Sequence, residues 1–101
     1  MSDVIKTFPE KFRADIEKAT EILKKYGCSE IYIFGSIVNG KFDEHSDIDI
    51  AVRGLEAKIY FKVLGDLLME LSHEVDLIDL DEKENRFAQF ILNKRELIKI
   101  A

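Results

Sequence analysis

The sequence predicts an α/β (α+β) fold in which a small mixed β-sheet is packed by helices. Three observations predict it. Segments with a helical apolar period alternate with short β-rich runs. No linker, repeat or low-complexity tract separates them. A chain of 101 residues is expected to form one domain, residues 1–101, with no room for a second core. The expected order is helix, strand, short helix, strand, helix, strand, helix.

The first helix is read from Phe8 to Tyr26, where Phe8, Phe12, Ile16, Ala19 and Leu23 recur every three or four positions. Thr7, with Pro9 in the first turn and Glu10 three residues on, reads as a capping box, and Gly27 as the stop. EIYIF, Glu30 to Phe34, is β-rich and runs into Gly35 and Ser36, a tight turn or helix start. Asn39 to Ser46 is polar and reads as a loop. DIDIAV, from Asp47 to Val52, alternates: Asp47, Asp49 and Ala51 share one side, and Ile48, Ile50 and Val52 the other. Gly54 ends it. A second long helix is expected from Glu56 to Ser72, with Phe61, Leu64, Leu68 and Leu71 as its buried stripe. EVDLIDL, Glu74 to Leu80, alternates again. Asp81 is placed to cap a last helix from Glu84 to Lys94 with Phe87, Phe90 and Ile91 inward, and the tail ELIKIA reads as a short final strand. Met69, Tyr60 and Tyr32 are expected to be packing residues.

Composition limits the function. Hydrophobic residues at 47% and charged residues at 35% fit a folded cytoplasmic protein and not a disordered one. A single cysteine, Cys28, excludes an internal disulfide and a thiolate metal site. The N-terminus lacks the layout of a signal peptide, and no apolar run approaches a membrane span. The net charge of −5 argues against general affinity for nucleic acid, which relies on Lys and Arg displacing counterions. The acids cluster: Asp43, Glu44, Asp47 and Asp49 in one group, Asp76, Asp79, Asp81 and Glu82 in another. Such clusters are usually solvated loops, and only their spacing raises them above that reading.

The stretch IYIFGSIVNGKFDEHSDIDI, Ile31 to Ile50, carries the chemistry. Its middle nearly spells a P-loop, but that motif needs a Ser or Thr hydroxyl after the Lys to meet Mg²⁺, and Phe42 stands there. The strand with two Asp that follows is also no P-loop helix. The competing reading gives each unusual residue a task. Gly35 lets a polyphosphate approach the backbone closely. Ser36 starts a helical turn whose free N–H groups and hydroxyl can hold phosphate oxygens. Asp47 and Asp49, two apart on a strand, point to one face with Cα atoms about 6.5–7 Å apart, suited to two divalent cations. Oxygen-only ligands imply Mg²⁺ or Mn²⁺ and not zinc. Left without a cation, like charges side by side on a strand repel.

A third ligand is wanted, and Asp76 is the candidate, mid-strand between Val75 and Leu77, where an unpaired carboxylate is costly. Asp79 falls on the opposite face by alternation and reads as structural; Glu74 is also less favoured. His45 and His73 read as loop and helix-end residues, His45 lying beside the loop acids.

FGS, ten residues, then DIDIAV, with VDLIDL downstream, resembles the nucleotidyltransferase superfamily that includes DNA polymerase beta. It is most similar to the minimal nucleotidyltransferases, the MNT proteins, over nearly the whole chain. The resemblance implies that Gly35 and Ser36 bind the β- and γ-phosphates of the nucleotide. It implies that Asp47 and Asp49 hold both metal ions, and that Asp76 holds the catalytic one and helps activate the attacking hydroxyl. A nucleoside monophosphate would pass from a triphosphate such as ATP to an acceptor, with pyrophosphate leaving. The minimal group resembles antitoxins paired with HEPN-domain toxins, and some transfer AMP to a tyrosine of the toxin. Members often carry Arg in a G-S-x-A-R-G pattern where this chain has Asn39; Lys41 and Arg53 are the cations that could compensate.

No segment is left over to grip an acceptor, which favours a protein acceptor or an oligomer over a free small molecule. The acidic balance also argues against RNA. The alternative from another class is a non-catalytic binding module of the same fold that neutralises a toxin by contact. The three acids count against it, and the missing Arg counts for it.

Overall fold

The computed structural model describes residues 3–94 and 97–101. Among the described residues eight helices and strands, with 3-10 turns at Asp3–Thr7 and Ala57–Ile59, follow the expected order: α1 Glu10–Lys25, β1 Glu30–Phe34, α2 Ser36–Asn39, β2 Ile48–Arg53, α3 Tyr60–Glu70, β3 Val75–Asp79, α4 Arg86–Lys94 and β4 Ile98–Lys99. The sheet order is β3-β2-β1-β4. β1 runs antiparallel to β2 and β4, and β2 runs parallel to β3, so the sheet is mixed as expected. Of the predicted tail strand, Glu96 lies outside the described residues, and Ile98–Lys99 pairs with Tyr32 and Ile33.

Alternation on the strands sets two layers. Ile31, Ile33, Ile48, Ile50, Val52, Val75 and Leu77 face one side, where Phe12, Ile16 and Leu23 of α1 and Val63 and Leu67 of α3 cover them. Phe34 and Ala51 face the other side, under Ala88 and Ile91 of α4 and Leu80. β2 is flanked by partners on both edges, which explains its continuous Ile48, Ile50, Ala51, Val52 burial.

Gly27 ends α1 at φ 91°. Cys28 N–H bonds to Leu23 O at 3.1 Å and Gly27 N–H to Lys24 O at 3.0 Å, the paired bonds of a Schellman motif. Its start differs from the capping box read at Thr7. Thr7 Oγ1 donates to Val4 O at 2.6 Å, closing the 3-10 turn, and Pro9 takes the N-cap position without a side-chain bond. Asp81 likewise does not cap α4. Its carboxylate accepts from Arg53 at 3.0 Å and Gly54 N–H at 2.8 Å. Asn85 caps instead, its Oδ1 accepting Phe87 N–H at 3.0 Å and Ala88 N–H at 3.2 Å.

α3 buries a different stripe from the expected one. Val63 and Leu67 are fully buried, while Phe61, Leu68 and Met69 are exposed, Met69 at 85%. Two apolar stripes share this helix, and Leu64 and Leu71 suit either, so periodicity could not choose. Contacts choose: Tyr60 Oη donates to Leu77 O on β3, turning the Tyr60–Val63–Leu67 side inward. Met69 is therefore not a packing residue here. Tyr60 and Tyr32 do pack, Tyr32 also donating to Glu30 Oε1 at 2.8 Å.

The loop from α3 to β3 is held by one acid. The buried Asp15 carboxylate accepts Ser72 N–H at 3.0 Å, Ser72 Oγ at 2.9 Å, His73 N–H at 2.9 Å and His73 Nδ1 at 2.7 Å. The His73 ring also rests on Phe12, centroids 4.7 Å apart. Burial pushes the Asp15 pKa up, but the hydrogen bonds from His73 and Ser72 outweigh it and leave it below the ordinary carboxylate value. A depressed folded pKa gives stability that is present above the unfolded value and lost as pH falls through the folded one. Asp15→Asn should cost about 1–3 kcal/mol at neutral pH, and urea melts should show the gap to wild type closing as pH drops below about 4.

Candidate active site

β1 delivers the chain to Gly35, whose φ of 77° and ψ of −148° belong to glycine almost alone. A methyl group there would overlap Asp49 Oδ2 and approach Asp49 Cγ within 2.9 Å. The glycine therefore serves two ends: it turns the chain into α2, and it lets the backbone close against the Asp49 carboxylate. Gly35 O accepts Val38 and Asn39 N–H groups at 3.0 Å each, leaving the first N–H groups of α2, beginning with Ser36, without intrahelical partners.

Register supplies the rest. Phe34 pairs with Asp49 across β1 and β2, and Asp49 with Asp76 across β2 and β3. Neighbouring strands lie about 4.8 Å apart, so both carboxylates project side by side from the face that α4 covers. Burial, then the Asp76 charge and a hydrogen bond with it, then the Asp47 charge, push the Asp49 pKa up to about 7. Asp76 is not buried as the sequence suggested; β3 is an edge strand and Asp76 is exposed. The cost of the pair falls on Asp49, half-buried on the central strand.

Asp47 sits one residue before β2 and lines a separate hollow with His45, Ser72, His73 and Glu74. Among the described residues no three His, Cys, Asp or Glu side chains converge on one ion position. Thus Gly35, Asp49 and Asp76 come together around a cleft of about 360 Å³, with Ser36 on its rim by sequence and Asp47 acting on Asp49 through charge. Two carboxylates fit a hard divalent cation, since Mg²⁺ commonly takes one or two and completes its shell with phosphate and water. Phe42, at the failed P-loop position, packs edge-on against Phe12 at 5.7 Å. Asp79 Oδ1 accepts Asp81 N–H at 2.9 Å, a turn bond. His45 N–H bonds to Asp43 Oδ1 at 2.7 Å in the loop.

Asn39 Oδ1 accepts Lys41 N–H at 3.0 Å, holding the turn after α2. Arg53 lies at the far end of β2, paired with Asp81 at 3.0 Å and Glu30 at 3.6 Å, so it does not replace the missing Arg. Sequence reasoning missed the remaining wall of the cleft: Phe34, Phe87, Phe90 and Ile91. Phe87 and Phe90 are half-exposed and not inward as expected; Ala88 and Ile91 make the buried face of α4. The signal was there, because four apolar residues in five positions are more than one helix face can bury.

A carboxyl whose folded pKa is raised destabilises the fold above its unfolded value and is neutral below it. In metal-free protein Asp49→Asn should therefore raise stability at pH 8 by about 1–2 kcal/mol, discounted from the full shift because half the carboxylate meets water. Urea melts in chelator should show that gain shrinking to nothing by about pH 3.5.

No curated protein matches the chain. Among solved structures, a chain of a toxin–antitoxin complex determined with AMP-PNP is 27% identical at TM-score 0.69, covering 84% of this chain and 71% of that one. A structure described as a candidate minimal nucleotidyltransferase is 26% identical at TM-score 0.68, covering 88% and 92%. A chain from the complex of a tri-AMPylated Shewanella oneidensis HEPN toxin with its MNT antitoxin, at 23% identity and TM-score 0.64, covers 88% and 71% and shares the fold. The family described as "Polymerase beta, Nucleotidyltransferase" matches residues 17–100. With that span of sequence, and a glycine turn closed on paired carboxylates, the chain belongs to the polymerase beta nucleotidyltransferase family.

Proposed function

We propose that residues 1–101 act as one minimal nucleotidyltransferase domain that transfers AMP from ATP to a hydroxyl of a partner protein. The partner in this reading is a HEPN-type toxin, and the chain is its cytoplasmic antitoxin. One observation carries the catalytic part: the Gly35 backbone lies directly against Asp49, and Asp49 lies beside Asp76 in register. Family membership and likeness to a complex solved with AMP-PNP support it. Among the described residues no helix is long and apolar enough to cross a membrane. The exposed stripe of Phe61, Leu68 and Met69 on α3 is the kind of apolar patch that meets another protein.

In this reading Gly35 and Ser36 receive the β- and γ-phosphates, the glycine by giving room and the N–H groups of α2 by donating. Asp47, Asp49 and Asp76 are the metal-binding and catalytic acids, Asp49 and Asp76 facing the cleft and Asp47 adding charge from the β2 start. A bound Mg²⁺ or Mn²⁺ supplies positive charge where the transferring phosphates gain negative charge. Asp76, exposed at the sheet edge, is open to an incoming hydroxyl and can take its proton. The acceptor oxygen bonds to the α-phosphorus, the bond from that phosphorus to the bridging oxygen breaks, and pyrophosphate leaves. Most of the rate then comes from positioning and charge already in place.

The contact-only module is the second reading, favoured by Asn39, whose side chain is spent on the turn. Incubation of the chain with a HEPN partner, Mg²⁺ and ATP labelled at the α-phosphate separates the two. Catalysis predicts label on the partner and a loss of about 10²–10³-fold in Asp49→Asn and Asp76→Asn. An unlabelled partner that is nonetheless neutralised, equally by wild type and both variants, establishes the contact-only reading.

A further inference from the structure

The cleft beside Asp49 has a wall that phosphate chemistry does not use. Its lining divides by chemistry into Gly35, Asp49 and Asp76 on one hand and Phe34, Phe87, Phe90 and Ile91 on the other. A cleft of about 360 Å³ falls within the size range of small-molecule sites, which runs from about 300 to 1,000 Å³. Phe87 and Phe90 are 49% and 54% exposed although they belong to a helix whose Ala88 and Ile91 are buried. Phe34, the residue before Gly35, backs Phe87, with ring centroids 6.2 Å apart and planes tilted by 58°. Two partly exposed aromatic rings therefore border the space that holds the carboxylates.

We propose that Phe87 and Phe90 seat the base of the bound nucleotide, and that this seat favours purines over pyrimidines without distinguishing adenine from guanine. The inference rests on the nucleotidyltransferase reading above and specifies its substrate. A molecule whose phosphates lie at Gly35 carries its base within the same cleft, so the ring end needs no separate binding event. Aromatic side chains stack on bases through their faces, and a larger ring system gains more from it. Telling adenine from guanine takes hydrogen bonds to the exocyclic groups. Among the described residues no Asn, Gln, Ser, Thr, His, Lys or Arg side chain lines the cleft, and its two carboxylates are turned to each other at the phosphate end. Stacking without edge reading gives selection by ring size alone.

Calorimetric titration of the full chain with ATP, GTP, CTP, UTP and inorganic tripolyphosphate, each with Mg²⁺, tests it. Phe87→Leu keeps an apolar residue and removes the ring face. The expected result is ATP and GTP within about threefold of each other, both about tenfold tighter than tripolyphosphate, with CTP and UTP in between. Phe87→Leu should weaken ATP about fivefold to tenfold and leave tripolyphosphate unchanged, the latter showing that the variant is folded and its phosphate end intact. Equal binding of all five probes, with no effect of the variant, overturns the base seat and leaves the functional reading standing. A preference above tenfold for adenine over guanine overturns it too, as does a variant that binds ATP normally but loses its protein partner. No binding of any probe, tripolyphosphate included, overturns the functional reading and the base seat together.

Discussion

Two carboxylates held side by side on neighbouring strands are the constraint around which this molecule is arranged. Asp49 on β2 stands in register with Asp76 on β3 and with Phe34 on β1, so three consecutive strands present one row. Side by side the acids repel, and β2 is central, so Asp49 also loses water. Such a pair survives only where the backbone leaves it no other position. The opposite face of the strands provides that: Ile48, Ile50 and Val52 are fully buried against α1 and α3, and a one-residue slip would exchange them with the acids. The hydrophobic core thus fixes the register, and the register fixes the site.

Two local devices refine that geometry. A side chain larger than that of Gly35 would collide with Asp49, so the turn before α2 and the carboxylate cannot move independently. Asp15, far from the site in sequence, gathers Ser72 and His73 and so holds the start of β3 two residues before Val75. It determines nothing about the chemistry, yet it fixes where the strand that carries Asp76 begins. The edge of β3 is partly closed by Tyr60, whose hydroxyl bonds to the Leu77 carbonyl. That bond occupies a group which would otherwise invite another strand.

Strong periodicity made most of the architecture legible. β1, β2 and β3 appear within a residue of their predicted bounds, because alternation between a core face and an acidic or mixed face admits one arrangement. Gly35, Asp49 and Asp76 were legible as a set because glycine after a strand and repelling acids within strands are locally unfavourable choices. Helix facing was less legible. On α3 two apolar stripes compete, and only the Tyr60 contact with β3, distant in sequence, decides between them. On α4 the apolar residues outnumber the positions that can be buried, so Phe87 and Phe90 are left at the cleft. Caps failed for a related reason: Thr7 and Asp81 have the right chemistry, but a 3-10 turn and the Arg53–Gly54 corner claim them first. Asp47 was read as equal to Asp49 from their spacing and from the family resemblance. Spacing cannot show that β2 begins at Ile48, which leaves Asp47 outside the paired region.

On the proposed function, a cation relieves the cost of holding Asp49 beside Asp76. The most direct measurement is an NMR titration of the Asp49 side-chain carboxyl, with and without Mg²⁺ and a non-hydrolysable ATP analogue. Titration at about 7 is expected in chelator, with a fall of about 1–3 units when the cation and analogue are present. A value near the ordinary 3.9 or so in both conditions would contradict it.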